Sequence, residues 1–204
     1  AKIHCTGDRS VHMVLDAVEQ LRGEGFTAQR FQVAHGQFIA DADIPRFAAL
    51  GVDADISPYI WMPGVIPDAI ATVLPADRAG RIQPNKDLLA AGALVAGGSD
   101  WPVSPSPNPF PAMAALINRQ DPSGQFPGAL WPEQAVSRAE ALRIFTHNGA
   151  ISMGLGDVTG TLSVGKSADF AVLDRDIAAV PVPEIASVSV TETYFAGRLV
   201  HRAA

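Results

Sequence analysis

Up to about Gly98 the chain alternates between short apolar runs and longer stretches in which apolar positions recur every third or fourth residue. Lys2–Cys5, Arg30–His35, Val52–Ser57 and Ala93–Ala96 have the composition of buried strands. Between the first two, Val11, Val14, Leu15, Val18 and Leu21 mark one face of a helix over Asp8–Arg22, stopped by Gly23 and Gly25. A second helix is predicted over Asp41–Leu50, with Asp41 as its N-cap and Gly51 as its C-terminal stop. Pro58 ends the third strand, an irregular excursion covers Tyr59–Asp77, and a third helix spans Pro84–Ala91. Strand and helix in turn are the signature of a parallel sheet in an α/β fold.

After Asp100 the pattern weakens into the proline-rich stretch PVSPSPNPFP, then resumes as a helix over Ala112–Asn118 and an amphipathic helix over Pro132–Thr146. Beyond about Gly156 the period shortens. Gly160-Thr161-Leu162, Gly165-Lys166 and Ala168–Leu173 suggest short strands, and Ser187–Arg202 suggests a hairpin through Ala196-Gly197. The expected division is therefore residues 1–155 as an α/β domain and 156–204 as a small β-rich one.

Composition narrows the function classes. The 204 residues are 48% hydrophobic and 18% charged, with a net charge of −6, and no lysine or arginine cluster is present to neutralise phosphates. Nucleic acid is therefore not the expected partner. The longest uncharged apolar run, LLAAGALVAGG, has 11 residues, against the roughly 20 needed to cross a bilayer. A single cysteine, Cys5, excludes an internal disulfide and suits a reducing, cytoplasmic compartment. The opening AKIHCTGDRS has neither a methionine nor an apolar signal core, which reads as a fragment of a longer chain.

His4, His35 and Asp100 stand at corresponding places, the C-terminal ends of predicted parallel strands. In a parallel α/β barrel those ends open onto one face, so side chains distant in sequence converge. Two imidazoles and a carboxylate form a ligand set for zinc or a similar ion, and the carboxylate can also shuttle a proton. Each residue has a structural alternative. A histidine near a strand end can be a hydrogen-bonded core residue, and Asp100 can cap the next helix or hold the Trp101-Pro102 turn. Trp61 and Trp101 follow the last two strands and are candidates for substrate contact or for core packing. Cys5 should point into the helix layer, and His12, His147 and His201 are assigned no ligand role.

The segments IHCTGDRSV, VAHGQ with DIPRFAALGV, GGSDWPV with its NPF continuation, and LSVGKSADFAVLD with TETYFAGRLV resemble the amidohydrolase superfamily, in the amidohydrolase family 3 branch of N-substituted formamide deformylases. The resemblance runs in order along nearly the whole chain. It implies the second half of a (β/α)8 TIM barrel, strands five to eight, followed by part of a composite β-sandwich. His4 and His35 then match the metal ligands of strands five and six, and Asp100 the aspartate of strand eight that binds metal and moves a proton. The implied reaction is hydrolysis of an amide or other C–N bond of a small-molecule substrate, N-acyl or formamide in type, by metal-bound hydroxide. The implied cofactor is a divalent metal, zinc by preference, binuclear in a whole-length member. This chain has no counterpart of the family's His-x-His pair or of its bridging ligand, and Lys2 is no substitute for the latter. At most one metal is then expected, and the open half-barrel is expected to pair as a homo-oligomer. The fragment is expected to be inactive alone, and the alternative is a non-catalytic, oligomerising structural fragment with an empty or mononuclear metal site.

Overall fold

The computed structural model describes residues 1–203, apart from the side chain of Trp61. Strands β1 (Lys2–Cys5), β2 (Phe31–His35), β3 (Val52–Ile56) and β4 (Val95–Gly97) form a parallel sheet in that order. Helices α1 (Asp8–Gly23) and α2 (Ile44–Leu50) connect the first three. The predicted excursion holds three short helices, α3 (Pro58–Trp61), α4 (Val65–Ala71) and α5 (Ala76–Ala79), before α6 (Asn85–Ala90) returns the chain to β4.

Register sorts the two faces of the sheet. Ile3, Val33, Ala54 and Val95 lie in one row, and Lys2, Gln32 and Asp53 in another. Because side chains alternate along a strand, these rows occupy opposite faces. The apolar row packs with Val11, Leu15 and Val18 of α1 and Phe47 of α2, all at most 2% exposed. Each such side chain contributes on the order of 1.5–3 kcal/mol by leaving water. The opposite face is polar. Arg30 pairs with Asp53 at 2.8 Å, Ser152 also donates to Asp53 at 2.9 Å, Gln32 donates to the Ser152 carbonyl at 2.7 Å, and Lys2 pairs with Asp55.

Two predicted boundaries move for identifiable reasons. The second helix begins at Ile44 rather than near Asp41, because Asp41 is drawn to Arg81 at 2.6 Å. The carboxylate of Asp43, at the N-cap position, is taken by His12 and Arg46, both at 3.0 Å. The fourth strand starts two residues later than expected, since Ala93 N–H still donates to the Leu88 carbonyl across the turn that follows α6.

The helix expected over Ala112–Asn118 starts earlier, as α7 (Pro109–Asn118). Asn108 caps it by accepting from Phe110 N–H at 3.0 Å, and a proline in the first turn forfeits no helical hydrogen bond. The helix expected over Pro132–Thr146 is not continuous. Pro132–Gln134 form a 3-10 turn, Ala135 and Val136 are non-helical, and α8 (Arg138–Phe145) starts at a capping box in which Ser137 and Glu140 exchange hydrogen bonds. A second break at Thr146 opens α9 (His147–Ser152), so His147 starts a helix rather than ending one. α9 covers part of the outer edge of β4, where Asn148 donates to the Val95 carbonyl at 2.9 Å. One edge of the expected open half-barrel is thereby partly closed.

The C-terminal hairpin forms as β6 (Val190–Phe195) and β7 (Arg198–Arg202), with β5 (Phe170–Leu173) antiparallel beside β6. Ala196 and Gly197, at φ of 50° and 73°, make its left-handed turn. No strand forms at Gly160–Leu162 or Gly165-Lys166. Gly160 instead passes so close to α9 that a Cβ on it would lie 2.5 Å from Ala150 Cβ. The short α10 (Val182–Ile185) packs on α7, and Val180, Ile185 and Val188 join the same core as the parallel sheet. Among the described residues no helix is long and apolar enough to cross a membrane.

Gly97 ends β4 directly under α8, and an added Cβ would stand 2.8 Å from Phe145 and 2.9 Å from Ile144. Gly97→Ala is expected to destabilise the fold by about 1–3 kcal/mol, read from urea unfolding. Ser137→Ala removes the cap of α8 and should cost about 1 kcal/mol, which lowers Tm by about 2–4 °C. The Ser137 hydroxyl and N–H hold the Glu140 carboxyl below its ordinary 4.5. Its contribution is thus complete above that pH and lost as pH falls through the depressed value. Glu140→Gln should flatten the acid limb of the stability curve, measured by melting between pH 6 and 3.

Candidate metal centre

Parallel pairing brings the C-terminal ends of β1, β2, β3 and β4 to one rim. In register, His35 stands opposite Cys5 and His4 opposite Ala34, so strict alternation would send His35 to the helix side with buried Cys5. It does not go there. His35 has a left-handed φ of 72°, and its ring meets that of His4 edge to face, with centroids 4.7 Å apart and planes at 79°. Such a backbone costs a non-glycine residue on the order of 1–3 kcal/mol and persists where the surroundings hold it.

Those surroundings are visible. His35 is 6% exposed, and its Nδ1 lies 3.2 Å from Ser57 Oγ, at the residue after β3. Burial holds the imidazole below its ordinary pKa, Asp100 acts in the opposite sense, and His4 adds to the lowering. The neutral ring, the form that ligates a metal, is thereby favoured at pH 7. His4 is exposed at the rim.

Asp100 is exposed and also left-handed, at φ 56°. Neither structural alternative uses its carboxylate. The following helix is capped by Asn108. The turn is held by the Asp100 main-chain carbonyl, which accepts from Val103 N–H at 2.8 Å, and by Ser99 Oγ, which accepts from Trp101 N–H at 3.1 Å. The Trp101-Pro102 peptide is cis, and Trp101 is 61% exposed beside Asp100. Trp61 closes α3 just beyond Ser57, and its side chain lies outside the described residues.

Two imidazoles at contact distance, one of them biased to the neutral state, suit a divalent ion in donor type. The third donor is not drawn in. Among the described residues no group of three or more His, Cys, Asp or Glu is gathered closely enough to hold a metal ion. The remaining candidates lie apart from the pair. His12 joins Asp16 and Asp43 at the α1–α2 contact, His147 Nδ1 sits 3.2 Å from Asn148 Oδ1, and His201 is exposed on β7. Cys5 is buried, and burial raises its thiol pKa.

Sequence reasoning missed two residues here. Ser57 engages His35, and Asp55 acts on His35 through its charge while pairing with Lys2. Both lie at the end of the one strand that carries no histidine or aspartate of the proposed triad. The available signal was position, since β3 ends at the same rim as its neighbours.

The sequence profile of the amidohydrolase family matches residues 1–201. Protein LONG AFTER FAR-RED 3 of Arabidopsis thaliana is 31% identical over 198 residues, which is 96% of this chain and 33% of that protein. N-substituted formamide deformylase of Arthrobacter pascens is 28% identical over 202 residues, 97% of this chain and 35% of that enzyme. An uncharacterized metal-dependent hydrolase from Pyrococcus horikoshii superposes with a TM-score of 0.70 at 25% identity, over 89% of this chain and 35% of that one. The chain thus spans about a third of the length of the curated relatives it matches. With family motifs in sequence order, a parallel sheet ending in paired histidines and a profile match from end to end, the chain belongs to the amidohydrolase family.

Proposed function

We propose that this chain supplies part of a metal-dependent hydrolase site that cleaves amide or other C–N bonds, with N-acyl or formamide-type compounds as substrates. The observation that carries the reading is the 4.7 Å pairing of His4 and His35 at adjacent strand ends. In this reading β1–β4 are strands five to eight of a (β/α)8 barrel, and residues 156–204 belong to a composite β-sandwich beside the 1–155 barrel half. The parallel order of the sheet and its superposition on a metal-dependent hydrolase support that assignment.

His4 and His35 would hold the metal as neutral imidazoles, with Ser57 orienting the His35 ring. Zinc suits these donors and, when bound, supplies Lewis acidity to the scissile carbonyl and to water. Asp100 takes the proton from the attacking water and delivers it to the departing amine as the C–N bond breaks. A cavity of about 580 Å³ opens between the loops after β3 and β4, lined by Tyr59, Ile60, Met62, Val103, Pro105 and Phe126 among others. Its one carboxylate, Asp121, is occupied by hydrogen bonds from Ser123, Gln125 and Phe126 of its own loop. The cavity is therefore assigned to an uncharged apolar substituent of the substrate, with Trp101 on the loop after β4 as a further contact.

A second reading has its own support. The absence of a gathered three-donor group among the described residues favours a non-catalytic, oligomerising domain with an empty or mononuclear site. Zinc uptake and amine release taken together separate the two. The hydrolase reading expects stoichiometric zinc by mass spectrometry of metals, its loss in His4→Ala and His35→Ala, and roughly tenfold weaker binding in Ser57→Ala. In a longer protein that carries this segment, chelator-sensitive amine release from formamide substrates should fall about 10²–10⁴-fold in Asp100→Asn. Absence of both zinc uptake and amine release would leave the second reading in place. Both readings expect association through the uncovered edge of β1, so light scattering should return at least twice the 21.4 kDa chain mass.

A further inference from the structure

Behind the rim, three fully buried polar side chains lie on two segments that touch. Arg119, Gln83 and Asn85 are each 0% exposed. Arg119 reaches the main chain beside Gln83 from the end of α7: its Nη2 donates to the Ile82 carbonyl at 2.7 Å and its Nε to the Leu130 carbonyl at 2.9 Å. Asn85 Nδ2 stands 3.5 Å from Gln83 Oε1, at the limit of a hydrogen bond. Arg119 Nη1, Gln83 Nε2 and Asn85 Oδ1 are the buried side-chain atoms left without a hydrogen bond among the described residues.

The charge is as exposed an omission as the hydrogen bonds. Burial draws the Arg119 guanidinium down to about 10, which still leaves it protonated at neutral pH. Its hydrogen-bond partners are two neutral carbonyls, and no ion pair to it is formed among the described residues. A buried cation without a counter-charge is among the costliest arrangements a protein interior can hold. A water would satisfy hydrogen bonds but leave the charge. An anion accepts from Arg119 Nη1 and Gln83 Nε2 and cancels the charge at once. Asn85 Nδ2 stays engaged with Gln83 Oε1, so the two donors offered to the anion are Arg119 Nη1 and Gln83 Nε2.

We propose that Arg119, Gln83 and Asn85 enclose an internal binding site for a small monovalent anion of chloride size. Enclosure sets the size, because all three side chains lie away from solvent. The site braces the rim from behind: Gln83 N–H donates at 2.8 Å to the carbonyl of Gln37, two residues beyond His35. It is independent of the hydrolytic reading, and its test needs no substrate.

Melting of the whole chain in chloride, bromide or gluconate at one ionic strength provides the test. Chloride and bromide should raise Tm above gluconate, by about 4 °C when halide exceeds its dissociation constant tenfold. Crystals soaked in bromide should show one anomalous peak beside Arg119 Nη1 and Gln83 Nε2. Gln83→Gly, which suits the left-handed φ of 56° at that position, should remove the halide increment while retaining a cooperative transition. Arg119→Met should remove it as well, and far-ultraviolet circular dichroism establishes whether each variant is folded. Equal Tm in the three salts, with density at the site that refines as an ordered water only, overturns the proposal. So does a halide increment that survives undiminished in folded Gln83→Gly.

Discussion

Parallel pairing of four strands is the constraint from which the rest of this structure follows. It obliges each connection to cross the sheet, which places α1 and α2 on one face and sends every strand's C-terminal end to the same rim. It also fixes which side each residue serves. A slip of one residue would carry His4 into the helix layer and Ile3 onto the polar face, exchanging a buried apolar row for a charged one. The apolar row Ile3, Val33, Ala54 and Val95 therefore holds the rim in place as well as building the core.

At the rim the chain departs from the regularity that builds it. His35 and Asp100 both take left-handed backbones, and Gly97 is required where α8 closes on β4. These departures re-aim side chains that ideal strands would have pointed elsewhere. The His35 ring reaches His4 because the strand ends at that residue with a positive φ, and Ser57 receives it there. The opening glycine pair before Asp100 has separate tasks. Gly97 admits Phe145 and Ile144, and Gly98 N–H donates to the Ile56 carbonyl at 2.9 Å, tying β4 to the end of β3.

Elements whose apolar spacing is set by one neighbour were legible in the sequence, and those set by several were not. The spacing of Val11, Leu15 and Val18 located α1, and the run Phe31–His35 located β2. The Pro132–Thr146 stretch keeps an amphipathic period through a break that the Ser137…Glu140 signature marks, because both halves pack on the same core. Gly160 reads as a strand punctuator in sequence, yet its role is to admit α9, a contact the local pattern does not encode. His4 and His35 stood out as uncommon residues at strand ends. Ser57 did not, since a serine before proline is ordinary in any loop, and Arg119 did not, since its surroundings come from three separate segments.

The polar face of the sheet explains why four parallel strands can stand with one edge uncovered. All-parallel sheets usually bury both faces under apolar layers, and a bare apolar face here would drive aggregation. Instead Lys2, Gln32, Asp53 and Asp55 occupy that face, linked to Arg30 and to Ser152 at the end of α9. Such groups tolerate water and lose little when left in it. The same groups limit what can cover them, because an apolar surface laid over Asp53, already only 5% exposed, and Lys2–Asp55 would strand their charges. Any partner for this face must therefore be polar and hydrogen-bonding, whereas the β1 edge asks only for a strand.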